Sequence, residues 1–206
     1  MLLEKKGVLI VLSGPAGSGK GTVVQETLAR DDRFVVSVSA TTRAPRFNEV
    51  DGVHYRFVTH EAFEELIAAN AMMEYATYCG NYYGTDRVWV ESKLAEGKHV
   101  ILEIEVQGAL QIKAQYPDAV LVMILPPDYT TLEARLRGRG TNTEEDIKNR
   151  LARAKEELKV LPDYDYVIVN ENGGVAEAAA QLIGIAKSEL QRSCRNPRVF
   201  DNFFAN

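Results

Sequence analysis

The stretch GVLIVLSGPAGSGKGT, Gly7 to Thr22, narrows the possible folds more than any other part of the chain. Its first half, Gly7-Val8-Leu9-Ile10-Val11-Leu12, is apolar without alternation. A strand of that kind is buried on both faces, which requires strand neighbours on each side and cover above and below. Glycines at 14, 17 and 19 then let the backbone curl tightly, and Lys20 to about Arg30 has a helical pattern. Strand, glycine-rich turn and helix in this order form a cradle for an anion. Backbone N–H groups and the helix N-terminus favour negative charge there, and Lys20 reaches phosphate oxygens.

The rest of the chain supplies the neighbours that such a strand needs. Strands are predicted at Phe34–Ser39, His99–Ile104, Ala119–Leu125 and Tyr166–Asn170, with Pro126-Pro127 ending the third. Helices are predicted near Ala109–Gln115 and over an Ala-rich segment from about Val175 to Gln191. The expected class is α/β, a P-loop NTPase-type parallel sheet with helices on both faces. Residues 52–85 differ. "VHYRFV", "MMEYATYC" and "NYYGT" alternate and carry clustered aromatics, suggesting short antiparallel strands around a helix at Glu61–Asn70. They are expected to form an inserted mixed α/β lobe. The tail RNPRVFDNFFAN shows aromatics without a clear pattern.

One position departs from the usual P-loop. The pattern G-x-x-x-x-G-K-[ST] places a magnesium-binding hydroxyl after the lysine, and here Gly21 stands there, with Thr22 one place on. Such a loop still cradles phosphate through backbone and lysine. It holds magnesium less directly, through water and the nucleotide itself. A second motif follows in SVSATTRAPRFNEVDGVHY, where Arg43 and Arg46 flank the stiffening Pro45. Two guanidinium forks three residues apart can clamp one phosphate.

Taken together, SGPAGSGKGT, SVSATTRAPR, HYRFV, MEYATYCGNYYGT, ILEIEVQG and RLRGRGTNTEEDIKNRL resemble, in this order, the guanylate kinases, a P-loop nucleoside monophosphate kinase family. The resemblance runs from about Gly7 to Asn170. It implies transfer of the γ-phosphoryl group of ATP to GMP with Mg2+ accompanying ATP. It also implies a single domain over 1–206: a P-loop core at 1–51 and 86–206, a GMP-binding lobe at 52–85 and a helical lid at about 129–150. The ATP site would comprise Gly14, Pro15, Ala16, Gly17, Ser18, Gly19, Lys20, Gly21 and Thr22, with Asn170 in the adenine-contacting loop. Ser39, Arg43 and Arg46 match residues that meet guanine or its phosphate, and Tyr55 and Tyr83 match the tyrosines on that phosphate. Glu74 and Thr85 match base contacts. Glu105 stands where the family often has an Asp reading the guanine edge, and Glu103 where another Asp lies near phosphates and metal. Both departures lengthen the carboxylate by one methylene. As the two residues alternate along an apolar strand, they are expected to share one face.

The resemblance also implies catalytic roles for Lys20, Arg43, Arg135, Arg139 and Arg150, and no protein metal ligand set. Gly138 and Gly140 break a first lid helix, Thr143 with Asp146 resembles a capping box that starts the second, and Ile147, Leu151, Ala154 and Leu158 give it an apolar face. Two alternatives stand beside this reading: an adenylate-type small-molecule kinase, and a non-catalytic guanylate-kinase-like module that binds proteins. A net charge of −5 and the lack of any basic block argue against nucleic acid as a partner. Cys79 and Cys194 match no metal or redox spacing, and the N-terminal apolar run is too short to span a membrane. A cytoplasmic protein without a membrane partner is expected. The residues do not decide between monomer and homodimer.

Overall fold

A computed structural model describes residues 6–78, 80–138, 140 and 143–205. Its larger sheet contains β1 (Leu9–Ser13), β2 (Phe34–Val36), β7 (His99–Glu103), β8 (Val120–Leu125) and β9 (Tyr166–Val169). The strands lie in the order β2-β7-β1-β8-β9, and all pair in parallel. The period-two alternation of each strand divides its side chains between two cores. Ile10, Leu12, Val122 and Ile124 face Val23 and Val24 of α1 (Lys20–Arg30) and Ala178 and Leu182 of α7 (Val175–Leu190). Leu9, Val11, Val100 and Leu121 face Val90 of α3 (Arg87–Ala95) and Ala109 and Ile112 of α4 (Val106–Gln115). Continuous apolar strands thus meet helices on both sides, as their composition requires.

A second sheet, ordered β4-β3-β6-β5, builds the smaller lobe. It comprises β3 (Ala40–Thr41), β4 (Arg56–Phe57), β5 (Met72–Tyr78) and β6 (Asn81–Asp86), with α2 (His60–Ala68) against it. Phe63 of α2 is fully buried there and stacks on Tyr82 at 5.1 Å. β5 and β6 pair antiparallel, as do β3 and β6, but β3 and β4 run parallel. The expectation of purely antiparallel strands is therefore corrected. The chain between Thr41 and Arg56 is a crossover loop, and a crossover returns the next strand in the same direction. The sheet also draws on Ala40–Thr41, upstream of the residue-52 boundary.

Beyond β8 come α5 (Tyr129–Gly138) and α6 (Glu144–Glu157). The capping box forms as its spacing predicts: the Asp146 N–H donates to Thr143 Oγ1 at 3.1 Å, and the Thr143 N–H donates to Asp146 Oδ2 at 3.0 Å. Leu132, Leu136, Ile147, Leu151 and Ala154 form the seam between these helices, and Ala16 of the glycine loop packs against it. Leu158 lies just past α6 and opens a 3-10 turn at Leu158–Asp163. The C-terminal tail forms a short helix, α8 (Val199–Phe204), with Phe200, Phe203 and Phe204 exposed. Among the described residues no helix is long and apolar enough to cross a membrane.

Candidate active site

The phosphate cradle lies at the carboxyl end of β1. A Cβ at Gly14 would stand 2.2 Å from the Ile124 carbonyl oxygen, so the loop passes against β8 with no room for a side chain. Gly19 has φ 88° and provides the left-handed entry into α1 without a side-chain cap, leaving the first N–H groups of that helix free of one. A Cβ on Gly19 would meet Asn170 Nδ2 at 2.3 Å. Lys20 Nζ donates to the Gly14 carbonyl and, at 3.5 Å, to that of Pro15, so the ammonium folds back over the loop. At Gly21 a Cβ would meet nothing within 4 Å. The missing hydroxyl therefore follows from no steric demand of the fold.

Asn170 is 3 % exposed and donates from Nδ2 to the Ser18 carbonyl at 2.9 Å. Arg135 donates to the same carbonyl at 3.3 Å, to the Asn170 carbonyl at 2.8 Å and to Asn172 Oδ1 at 3.0 Å. These two predicted site residues thus brace the cradle from α5 and from the end of β9. Arg150 and Thr22 are exposed. Arg139 and Cys79 lie outside the described residues.

Between the two sheets lies a cleft of about 710 Å³. It brings together six of the predicted acceptor residues: Ser39, Tyr55, Glu74, Tyr83, Glu103 and Glu105. Glu74 reaches it through an irregularity in β5. Met72 pairs with Asp86 and Glu74 with Thr85, so Met73 is an extra residue between them. That bulge sends Met72 into the lobe core, Met73 into the main core and Glu74 into the cleft. Glu74 is 7 % exposed, and Thr85 donates to its Oε1 at 2.8 Å. Burial pushes its carboxyl up to about 7, helped by the nearby negative charge of Glu105 and opposed by the Thr85 hydrogen bond.

Glu105 does not share a strand face with Glu103. β7 ends at Glu103, and Glu105 is the N-cap of α4, its Oε1 accepting from the Gly108 N–H at 2.8 Å. Turning into the helix re-aims the side chain. A Cβ built on Gly108 would stand 3.3 Å from Glu74 Oε2 and 3.8 Å from Glu105 Oε1. The two carboxylates therefore converge over a bare glycine. Glu103 remains at the strand end, in register with Leu12 beside the cradle.

Arg43 pairs with Glu49 at 2.9 Å and lies over the Tyr55 ring at 5.4 Å, and Tyr55 meets Tyr83 edge-on at 6.0 Å. The Arg43 hydrogen bond, reinforced by the Arg46 N–H, pulls the Glu49 carboxyl down to about 2. An anion at Arg43 has to compete with Glu49. Arg46 is exposed. Three residues of this region escaped the sequence reading. Glu49 follows Arg46 by three, a spacing that signals a turn contact. Arg153 lines the cleft from α6, three residues beyond Arg150 on the same helix, and Asn172 follows Asn170 by two.

The guanylate kinase family model matches residues 6–188. Guanylate kinases from Streptococcus pyogenes serotype M3 and serotype M18 strains are each 52 % identical over 188 residues, covering 91 % of this chain and 88 % of theirs. The chain belongs to the guanylate kinase family. A crystal structure of guanylate kinase from Anaplasma phagocytophilum is similar with a TM-score of 0.74 and 34 % identity, over 94 % of this chain and 91 % of that one. Guanylate kinases transfer the γ-phosphoryl group of ATP to GMP, and the chain is an ATP:GMP phosphotransferase of that kind.

Proposed function

We propose that the glycine cradle of this guanylate kinase holds ATP and that the cleft between its sheets holds GMP. The observation that carries this assignment is the convergence of Glu74 and Glu105 over Gly108 in a cleft shared with Tyr55 and Tyr83. Guanine presents N1–H and an N2 amino group on one edge, both donors, and carboxylate oxygens accept them. Tyr55, Tyr83, Arg43 and Arg46 would hold the GMP phosphate, with Arg43 exchanging Glu49 for it. Ser39 and Thr85 complete the base site, Thr85 by fixing Glu74.

Phosphoryl transfer asks mainly for positioning and for cations where charge develops. A GMP phosphate oxygen is the nucleophile, so the protein supplies no nucleophile of its own. Lys20 would leave the Gly14 carbonyl for the donor phosphates. Residues 129–150 would act as a lid over the 52–85 lobe and the core, bringing Arg139 and Arg150 to the transferred group and excluding water that hydrolyses ATP. Arg135 would hold the loop from behind while this happens.

The site also fits magnesium carried by the nucleotide. Gly21 offers no side-chain oxygen, and Glu103 presents an exposed carboxylate at the mouth of the cradle. Among the described residues no group of three or more His, Cys, Asp or Glu side chains is arranged around a metal. A hard cation that keeps most of its waters needs only ATP phosphates and one carboxylate. When bound it neutralises phosphate charge, and Glu103 would hold it. A coupled assay with GMP, AMP, UMP and no acceptor tests the assignment. Turnover confined to GMP is expected, and equal turnover with AMP would refute the acceptor site.

A further inference from the structure

The charged lining of the acceptor cleft is carboxylate with one exception. Among the described residues Glu74, Glu103, Glu105, Glu156 and Glu157 face it together with a single cation, Arg153 of α6. Among the described residues the hydrogen bonding of Arg153 is confined to Nε, which donates to Glu157 Oε1 at 2.8 Å. Its NH2 group stands 3.9 Å from Glu105 Oε2. That is close enough for charge attraction and too far for a hydrogen bond. The terminal N–H groups of the fork therefore remain available at the cleft wall, beside a carboxylate that converges with Glu74 over Gly108. The side chain is 52 % exposed, so its outer nitrogens can turn toward a ligand while Nε keeps its hydrogen bond to Glu157, whose own side chain is only 14 % exposed.

Guanine has a third feature on the edge that the carboxylates meet. Next to N1–H stands O6, a hydrogen-bond acceptor, and a wall of carboxylates alone would repel it. We propose that Arg153 is a specificity-determining residue that donates to O6 of the acceptor base; this rests on the cleft being the GMP site. Glu157 holds Nε and orients the fork, while Glu105 draws the outer nitrogens toward the base. The same cation disfavours adenine, whose 6-amino group would point a donor at a donor. Selection of the base thus has an attractive part at the carboxylates and a repulsive part at Arg153.

The test compares GMP with 6-thio-GMP, which keeps N1–H and the 2-amino group but replaces O6 by a poor acceptor. Losing a hydrogen bond to a charged donor costs about tenfold or more in kcat/KM. Arg153→Ala should lower kcat/KM for GMP by about that factor and for 6-thio-GMP by less than about threefold. The GMP to 6-thio-GMP ratio then narrows, mainly through KM, and Arg153→Lys restores part of it. An unchanged ratio in Arg153→Ala overturns the proposal and leaves O6 to another donor such as Ser39. Glu74→Gln, assayed with GMP and AMP, separates the two levels of the argument. If it narrows the GMP to AMP ratio while Arg153→Ala leaves the thio ratio unchanged, the cleft stands and the role of Arg153 falls. If neither ratio moves, the cleft assignment falls and the proposal with it.

Discussion

Glu74→Gln should make the protein more stable at alkaline pH while costing it guanine selection. Burial lifts the Glu74 carboxyl from an ordinary 4.5 to about 7. That rise corresponds to a penalty of about 3 kcal/mol on the ionised form in the folded protein. The folded state therefore holds a proton that the unfolded state has released between pH 4.5 and about 7. The contribution of Glu74 to stability is therefore most favourable below 4.5, falls across that window and carries the full penalty above it. Glutamine never ionises, and its amide oxygen keeps the hydrogen bond from Thr85. In urea denaturation the variant should match wild type at pH 5 to within about 1 kcal/mol and exceed it by about 3 kcal/mol at pH 8. A difference of the same size at both pH values would refute the reasoning, because it would show that ionisation of Glu74 is not what costs stability. The functional consequence has the opposite sign. Guanine needs an ionised acceptor, so GMP affinity of wild type should rise as pH climbs through about 7. The variant should retain only the part of that rise due to the GMP phosphate, whose second pKa lies near 6.

Three further outcomes follow from the geometry. Lys20→Met should leave the melting temperature nearly unchanged and lower turnover by at least about 100-fold, since it removes a charge-assisted phosphate contact; a coupled assay within threefold of wild type would contradict this. Arg43→Ala should raise the dissociation constant for GMP by about tenfold or more while that for ATP stays within about twofold, and equal losses by calorimetry would place the clamp elsewhere. His99 is buried, its Nδ1 accepts from the Val8 N–H at 3.2 Å, and burial, with the charge of Arg33, pushes it down to about 4. Its contribution to stability is complete above pH 6.5 and is lost as pH falls toward 4. His99→Gln, whose amide oxygen can take the same N–H, should therefore flatten the acid limb by about 2 kcal/mol, read from denaturation at pH 7 and pH 5.

The parts of this protein that were legible in advance are those where local chemistry and tertiary context agree. The apolar run into β1, the glycines after it and the capping box at Thr143 each point, from neighbouring residues alone, to the strand, tight loop and helix start that the structure has. The less legible parts are those settled by contacts from afar. Arg87–Ala95 begins with Val88-Trp89-Val90, a strand-like triplet, yet it is helical because Asp86 caps it, accepting from the Trp89 N–H at 3.0 Å, and Val90 packs on the main core. Glu103 and Glu105 alternate as strand residues do, but glutamate is an uncommon N-cap, and nothing local says that the strand stops between them. Phe34–Ser39 leaves the sheet after Val36, although the Ser37 N–H still bonds Ile101. Arg153 was hidden for a related reason. On a helix full of charges, only the position of the cleft distinguishes one guanidinium from its solvated neighbours. The residues that the resemblance suggested for an acceptor site lie near one another, with Ser39, Tyr55, Glu74, Tyr83, Glu103 and Glu105 around one space, Thr85 behind Glu74 and Arg43 beside Tyr55.

The brace on the Ser18 carbonyl bears on how the protein is made. Ser18 and Asn170 are separated by 152 residues, an interval of roughly 8–30 s at about 5–20 residues per second of synthesis. During that time the nascent chain carries the whole glycine motif without Asn170 or the end of β9 to hold its shape. Arg135 arrives earlier, but it too anchors on the Asn170 carbonyl at 2.8 Å. A ribosome-bound chain that has yet to reach β9 thus displays the whole glycine motif without the Asn170 amide that braces its Ser18 carbonyl, and the support of this loop is among the last contacts the growing polypeptide acquires.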